Sequence, residues 1–189
     1  MHHEHVFRVP IAQARATGED VRTGQFLPVV ATAVAVIAID RIVKLWVVEW
    51  LDLKSRFAID VLPPWFNLRM AWNTGINFGL MDMGDAGRWI LIALALAIVA
   101  GLIFWTRRVT AMPALIAIGA VVGGALGNVW DRLQYGAVAD FLNFSCCGLN
   151  NPFAFNVADA AIFCGVIALA FLPTRQQAPQ TETGPDDRA

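Results

Sequence analysis

The chain has 189 residues, of which 57% are hydrophobic and 15% charged, with a mean hydropathy of +0.56. Soluble domains do not carry so much apolar surface, so an integral membrane protein, mainly α-helical, is expected. A formal net charge of −1 with scattered basic residues leaves no footprint for nucleic acid, and the three cysteines, adjacent Cys146 and Cys147 with a distant Cys164, form no disulfide framework.

In chain order, residues 1–25 are polar and mixed in charge, with His2, His3 and His5 near the start and Gly18 and Gly24 opposing a helix. A mobile tail is expected there, a metal-binding His tract being the alternative. Phe26 to about Trp50 is apolar enough for a first span, since ~20 residues rising ~1.5 Å each cross a ~30 Å hydrocarbon core. It is too long for the apolar part of a cleaved leader, and it is read as an uncleaved anchor. Asp40, Arg41 and Lys44 interrupt its second half. Asp40 and Lys44 are four apart on one helical face and can neutralise each other, either to fix the depth of the helix or to support a site.

Residues 51–87 leave the membrane, with Pro63 and Pro64 marking a turn. From Phe66 to Trp72 the apolar Phe66, Leu68, Met70 and Trp72 alternate with Asn67, Arg69 and Ala71, as in a half-buried strand of a small sheet at the membrane surface. The following Asn73, Gly75, Asn77 and Gly79 read as a turn whose asparagines either shape the backbone or bind a peptide. Trp89 to Trp105 is a second span bracketed by interfacial tryptophans and followed by Arg107 and Arg108. The third span runs from Ala111 to about Val129 without a charge. Its Gly119, Gly123, Gly124 and Gly127 offer faces where another helix, including that of a bound substrate, can approach closely. A fourth span runs from about Val157 to Leu172 and stops at Pro173, with a disordered tail over residues 174–189. One membrane domain over residues 26–173, of four spans (26–50, 89–105, 111–129, 157–172) plus a small sheet, is the expected architecture.

Four spans place both termini on one side. The basic residues there (Arg8, Arg15, Arg22, Arg107, Arg108, Arg175, Arg188) outnumber those opposite (Lys54, Arg56, Arg69, Arg88, Arg132), so the termini are read as cytoplasmic.

The chemistry is sought between spans three and four. The chain leaves span three through Asn128, Asp131 and Arg132, and enters span four through Asn156 and Asp159. Between them Asp140 sits on the strand-like segment AVADFLNF, 19 residues before Asp159. Apolar neighbours disfavour the charged form of each acid, and mutual repulsion of a close pair leaves one protonated and one ionised. Such a pair suits peptide hydrolysis: one member takes a proton from water while the other polarises the scissile carbonyl. All histidines lie in the first five residues, so neither a Ser/His nor a Cys/His pair nor a His/Cys metal cluster competes, and no cofactor is expected. A plainer reading makes Asp159 a helix N-terminal acid and Asp131 with Arg132 a mutual ion pair ending span three. For Asp131 that reading is adopted. For Asp140 and Asp159 the company of Asn128, Arg132 and Asn156 favours a functional cluster. A proton-relay or transport subunit using Asp40, Asp140 and Asp159 is the alternative of another class.

These residues resemble the lipoprotein signal peptidases, the bacterial signal peptidase II family. The matching blocks are Asp40 with Lys44, the Asn73-Thr74-Gly75 turn with Phe78, GGALGNVWDR at 123–132 followed by Val138-Ala139-Asp140-Phe141, and Phe155-Asn156-Val157-Ala158-Asp159. The resemblance runs from Asp40 to Asp159 and leaves out both tails. It implies an aspartic peptidase of the bacterial inner membrane that cuts prolipoproteins N-terminal to a diacylglyceryl-modified cysteine, a bond presented at the membrane surface with its acyl chains in the lipid. It also implies a four-helix bundle with an extracytoplasmic sheet, Asp140 and Asp159 as the catalytic dyad, and Asp40, Lys44, Asn73, Asn128, Arg132 and Asn156 in support. Ile76 and Asn77 stand where the family commonly has two alanines.

Overall fold

The computed structural model describes residues 18–75, 85–145 and 151–175. The N-terminal histidines, Ile76 and Asn77, Phe78 and Gly79, Cys146 and Cys147, and the tail from residue 176 lie outside the described residues. Helix α1 covers Gly18–Lys44 and continues as one π-helical stretch, Leu45–Trp50. It begins inside the segment expected to be a tail, with Gly18 and Gly24 both helical. A glycine costs a helix only about 1 kcal/mol, which a long apolar run outweighs. There follow α2 (Leu53–Arg56), β1 (Ala58–Leu62), β2 (Phe66–Asn73), α3 (Asp85–Thr106), α4 (Met112–Tyr135), β3 (Val138–Phe144) and α5 (Val157–Phe171).

Three helical stretches, Gly24–Trp50, Ala86–Thr106 and Met112–Tyr135, are long and apolar enough to cross a membrane. The fourth expected span is α5, whose 15 residues reach about 22 Å at ~1.5 Å each. Helix α4 is the buried centre, with α1, α3 and α5 packed around it. Large apolar side chains on the outer helices, such as Val30, Ile42, Leu94, Phe104 and Phe163, are left exposed, as a lipid-facing surface requires. The glycines of α4 let its neighbours in. A Cβ at Gly119 would lie 2.6 Å from the Val29 carbonyl oxygen of α1, and one at Gly124 would overlap the Ala158 carbonyl of α5. The small-residue faces expected to leave room for a substrate helix are therefore filled by α1 and α5.

The three strands form one antiparallel sheet in the order β1-β2-β3. In the β2–β3 pair Asn73 lies opposite Val138, and Ala71 opposite Asp140. Ala139 and Phe141 of β3 pack with Val47, Val48, Leu53 and Leu68 in a core under the end of α1. Because side chains alternate along a strand, Asp140 is turned to the other face. A second apolar core, from Val29 and Ala33 to Val109, Ala114 and Ile118, closes the opposite end of the bundle.

Candidate active site

Helix α4 runs six residues past the expected end of span three, so Asn128, Asp131 and Arg132 are helical rather than leaving the bundle. Gly136 stops it at φ 78, and its N–H reaches the Arg132 carbonyl. A residue without Cβ adopts this left-handed conformation without strain, and the chain passes straight into β3. At the other side of the site, α5 opens on a capping box. The Asn156 side-chain oxygen accepts from the Asp159 N–H (2.8 Å), and an Asp159 carboxylate oxygen accepts from the Asn156 N–H (3.3 Å). The helix-terminal reading of Asp159 is correct, and it is one part of what the residue does.

Around this cap the amides converge on both acids. Asp140, only 3% exposed, accepts from Asn156 Nδ2 at 2.7 Å through one oxygen and from Asn73 Nδ2 at 3.2 Å through the other. The half-buried Asp159 accepts from Asn128 Nδ2 at 2.7 Å. The Asn156 amide also donates to Asn128 Oδ1 at 3.2 Å, so Asn156 touches both carboxylates and the amide that holds the second. Asn73 is itself set by a turn in which its oxygen accepts from the Gly75 N–H (3.3 Å); the turn-forming and site-forming readings of this residue both hold. Burial first, and then the Asp159 charge, push the Asp140 carboxyl up to about 7. Five of the eight residues expected at the site, Asp140, Asp159, Asn73, Asn128 and Asn156, are thus joined in one hydrogen-bonded network.

Behind them lies a second, buried cluster. Lys44 pairs with Asp40 at 2.9 Å, as expected, and also with Asp131 at 2.5 Å. Arg41 bridges the same two acids, at 2.8 Å from Asp40 and 2.5 Å from Asp131. The expected Asp131–Arg132 pair is absent among the described residues. Successive residues of a helix point about 100° apart, and Asp131 turns to α1 while Arg132 turns to the site. Arg132 reaches only the Asn128 carbonyl, at 3.4 Å, makes no ion pair among the described residues, and has a buried Nε without a hydrogen bond. The last two expected residues, Asp40 and Lys44, sit one layer from the network rather than in it. Asp40 joins it by accepting the Ala158 N–H at 3.1 Å. Arg41 and Asp131 were missed. A sign of them was available in the charge balance, since pairing Asp40 with Lys44 leaves Arg41 without a counter-charge in a span.

A family model described as signal peptidase (SPase) II matches residues 32–173. The chain is 41% identical over 151 residues to a lipoprotein signal peptidase of Methylorubrum extorquens, covering 78% of this chain and 87% of that one. Comparable similarity, 40% over 146 residues, extends to a lipoprotein signal peptidase of Rhodopseudomonas palustris, with 75% and 88% covered. The protein of the same name from Caulobacter vibrioides is 38% identical over 140 residues, with 74% and 82% covered. Among solved structures, a bacterial membrane enzyme determined by the in meso method at 1.9 Å superposes with a TM-score of 0.64 and 25% identity, over 75% of this chain and 89% of that one.

Proposed function

The chain belongs to the signal peptidase II family, and from that premise we propose that it is a membrane aspartic endopeptidase. It removes signal peptides from diacylglyceryl-modified prolipoproteins, cutting N-terminal to the lipidated cysteine. The observation that carries this reading is the bridge at Asn156, whose side chain holds Asp140 while its main chain holds Asp159. Two carboxyls tied to one residue have the arrangement of an acid–base pair acting on a shared water. Asp140, the more buried, carries the proton and polarises the scissile carbonyl. Asp159, the more exposed, takes a proton from the water that attacks the carbonyl carbon. As the tetrahedral species collapses, Asp159 returns its proton to the departing amine, and Asp140 recovers the proton it shared with the carbonyl oxygen. Asn73, Asn128 and Asn156 keep the carboxyls in place, and the guanidinium of Arg132, which makes no ion pair among the described residues, is available to a substrate carbonyl. Asp40 and Lys44 act from behind.

The same reading places four crossings in the bacterial inner membrane, with α5 as the short fourth, the termini cytoplasmic and the dyad at the extracytoplasmic edge. Arg107 and Arg108 lie between α3 and α4, at the end of the bundle away from the dyad. The Thr110 and Ala111 N–H groups donate to the Thr174 carbonyl at 2.9 and 3.3 Å, tying the chain after α5 to that basic end, in keeping with the positive-inside rule. A reaction site at the opposite edge meets a lipid-modified cysteine without drawing its acyl chains into water.

The test is cleavage of a purified diacylglyceryl prolipoprotein, followed by gel shift, with the wild type and with Asp140→Asn and Asp159→Asn. Each substitution is expected to slow cleavage by about 100-fold or more. A single variant cutting at the wild-type rate removes the dyad assignment. A wild type that cuts nothing removes the substrate class. A proton-relay subunit would instead acidify liposomes without cutting.

A further inference from the structure

We propose that Asp131 is a positioning residue for the two site carboxylates, acting through Lys44 and Asp40 as a charged strut between β3 and α5. This rests on the peptidase reading above and adds to it a residue that sequence reasoning assigned to a local ion pair. The strut is defined by where its carboxylates end. Asp131 accepts the Ala139 N–H at 3.3 Å, and Asp40 accepts the Ala158 N–H at 3.1 Å. Ala139 and Ala158 are the residues immediately before Asp140 and Asp159. Lys44 joins the two acids, at 2.5 Å from Asp131 and 2.9 Å from Asp40. One continuous path of charge-assisted contacts therefore runs from the backbone beside one site carboxylate to the backbone beside the other, without touching either.

Each contact answers a local need. The Ala158 N–H belongs to the first turn of α5, where helix geometry supplies no acceptor, and a carboxylate there also meets the positive end of the helix dipole. β3 is an edge strand of the sheet, and its Ala139 N–H goes to Asp131. Gly127 clears the path, because even a Cβ at that position would come within 3.3 Å of Asp40 Oδ2. Arg41 supplies a second positive charge against the two acids, so the buried cluster is neutral and its geometry is fixed by charge on every side. Partners that orient metal-ligating side chains cost about 10–100-fold in affinity or activity when removed, although they contact no substrate, and a loss of the same order is expected for partners that orient the backbone beside a site carboxylate.

The experiment uses the full-length purified enzyme and the same lipidated substrate. Asp131→Asn is expected to lower kcat by roughly 10–100-fold with KM little changed, the pattern of a lost transition-state arrangement rather than lost binding. Backbone amide exchange in detergent micelles is expected to quicken at Ala139 and also at Ala158, which Asp131 does not touch. The double variant Lys44→Met/Asp131→Asn restores charge balance, with Asp40 against Arg41. It is expected to melt at a higher temperature than Asp131→Asn while kcat stays low, and it carries both measurements if the single variant does not fold. The proposal is overturned if kcat of a folded Asp131 variant equals the wild-type value, if kcat returns together with the melting temperature, if Ala158 exchange is unaffected, or if the double variant is no more stable than the single. Amide exchange needs no turnover and wild-type cleavage is measured alongside, so failure of the peptidase reading is seen separately.

Discussion

Two pairs of carboxylates lie one layer apart in this protein, Asp40 with Asp131 from distant parts of the chain and Asp140 with Asp159 from either side of one loop. Asp40 and Asp131 are fully buried and face an ammonium and a guanidinium at 2.5 to 2.9 Å. Asp140 and Asp159 face asparagine amides, with hydrogen bonds of 2.7 to 3.2 Å. Cations at contact distance tie the first pair between α1 and α4, and such charge-assisted contacts fix its geometry. The second pair is held by neutral amides, which orient a carboxyl through hydrogen bonds without adding a counter-charge. Two ways of holding a carboxylate are thus separated in space: the cations fix the frame, and the amides present the second pair.

Asp→Asn at each of the four positions breaks this comparison most directly. At Asp140 or Asp159 the rate falls by about 100-fold or more, while the melting temperature stays near the wild-type value because amide neighbours tolerate a neutral side chain. Asp40→Asn leaves Lys44 and Arg41 against one acid, and removing one partner of a buried pair costs about 3–5 kcal/mol, read as a fall in the thermal unfolding midpoint. If Asp40→Asn proves stable, or Asp140→Asn strongly unstable, the division between frame and chemistry fails. A smaller effect sharpens the role of α5, which carries Asp159 and donates to Asp40. Gly124→Ala sets a Cβ against the Ala158 carbonyl and Ile162, an overpacking of about 1–3 kcal/mol that displaces both pairs at Ala158. Gly101→Ala in α3, where a Cβ meets nothing within 4 Å, is the control and is expected to gain about 0.4–1 kcal/mol. Parallel thermal melts of the two variants decide the point.

How far these regions could be read from sequence follows from how local their causes are. The alternation of Phe66–Trp72 and the segment around Asp140 announced β2 and β3, because a half-buried strand writes its period into neighbouring residues. The tryptophans bracketed α3 for a similar reason. Asn128, Asp131 and Arg132 look like an exit from lipid, so the sequence pattern points to an end near Val129, six residues short of the end of α4 at Tyr135. They remain helical because one side of the helix meets the site and another meets the cations of α1. β1 leaves little sign in the sequence, since AIDVL is short and is defined by its pairing with β2. Asp131 was least legible of all: its partner Lys44 lies 87 residues away, while its sequence neighbour Arg132 offered a nearer and mistaken counter-ion. The asparagines around Asp140 and Asp159 were legible as company, but only the folded chain brings Asn73 from β2 to the same carboxylate as Asn156.

The smallest expected effect tests the amide side of the comparison, and it is a shift on the pH axis. Burial and the Asp159 charge raise the Asp140 carboxyl to about 7, against the opposing pull of the Asn73 and Asn156 donors and of Lys44. If Asp140 acts protonated, kcat falls as pH rises through about 7 and drops about tenfold per unit beyond it. Asn73→Ala removes one donor that favours the ionised form, so the descending limb moves to higher pH, by about one unit or less for a single bond of this length. Stability follows the same sign. A carboxyl whose folded value lies above the ordinary 3.8 binds more protons folded than unfolded between those limits, so this group makes the protein less stable as pH rises from near 4 to about 7. Asn73→Ala extends that window upward. Paired kcat and melting profiles against pH for the wild type and Asn73→Ala measure both. A limb that moves to lower pH, or that stays in place while the melting profile shifts, would show that the proton governing the rate sits elsewhere than on Asp140.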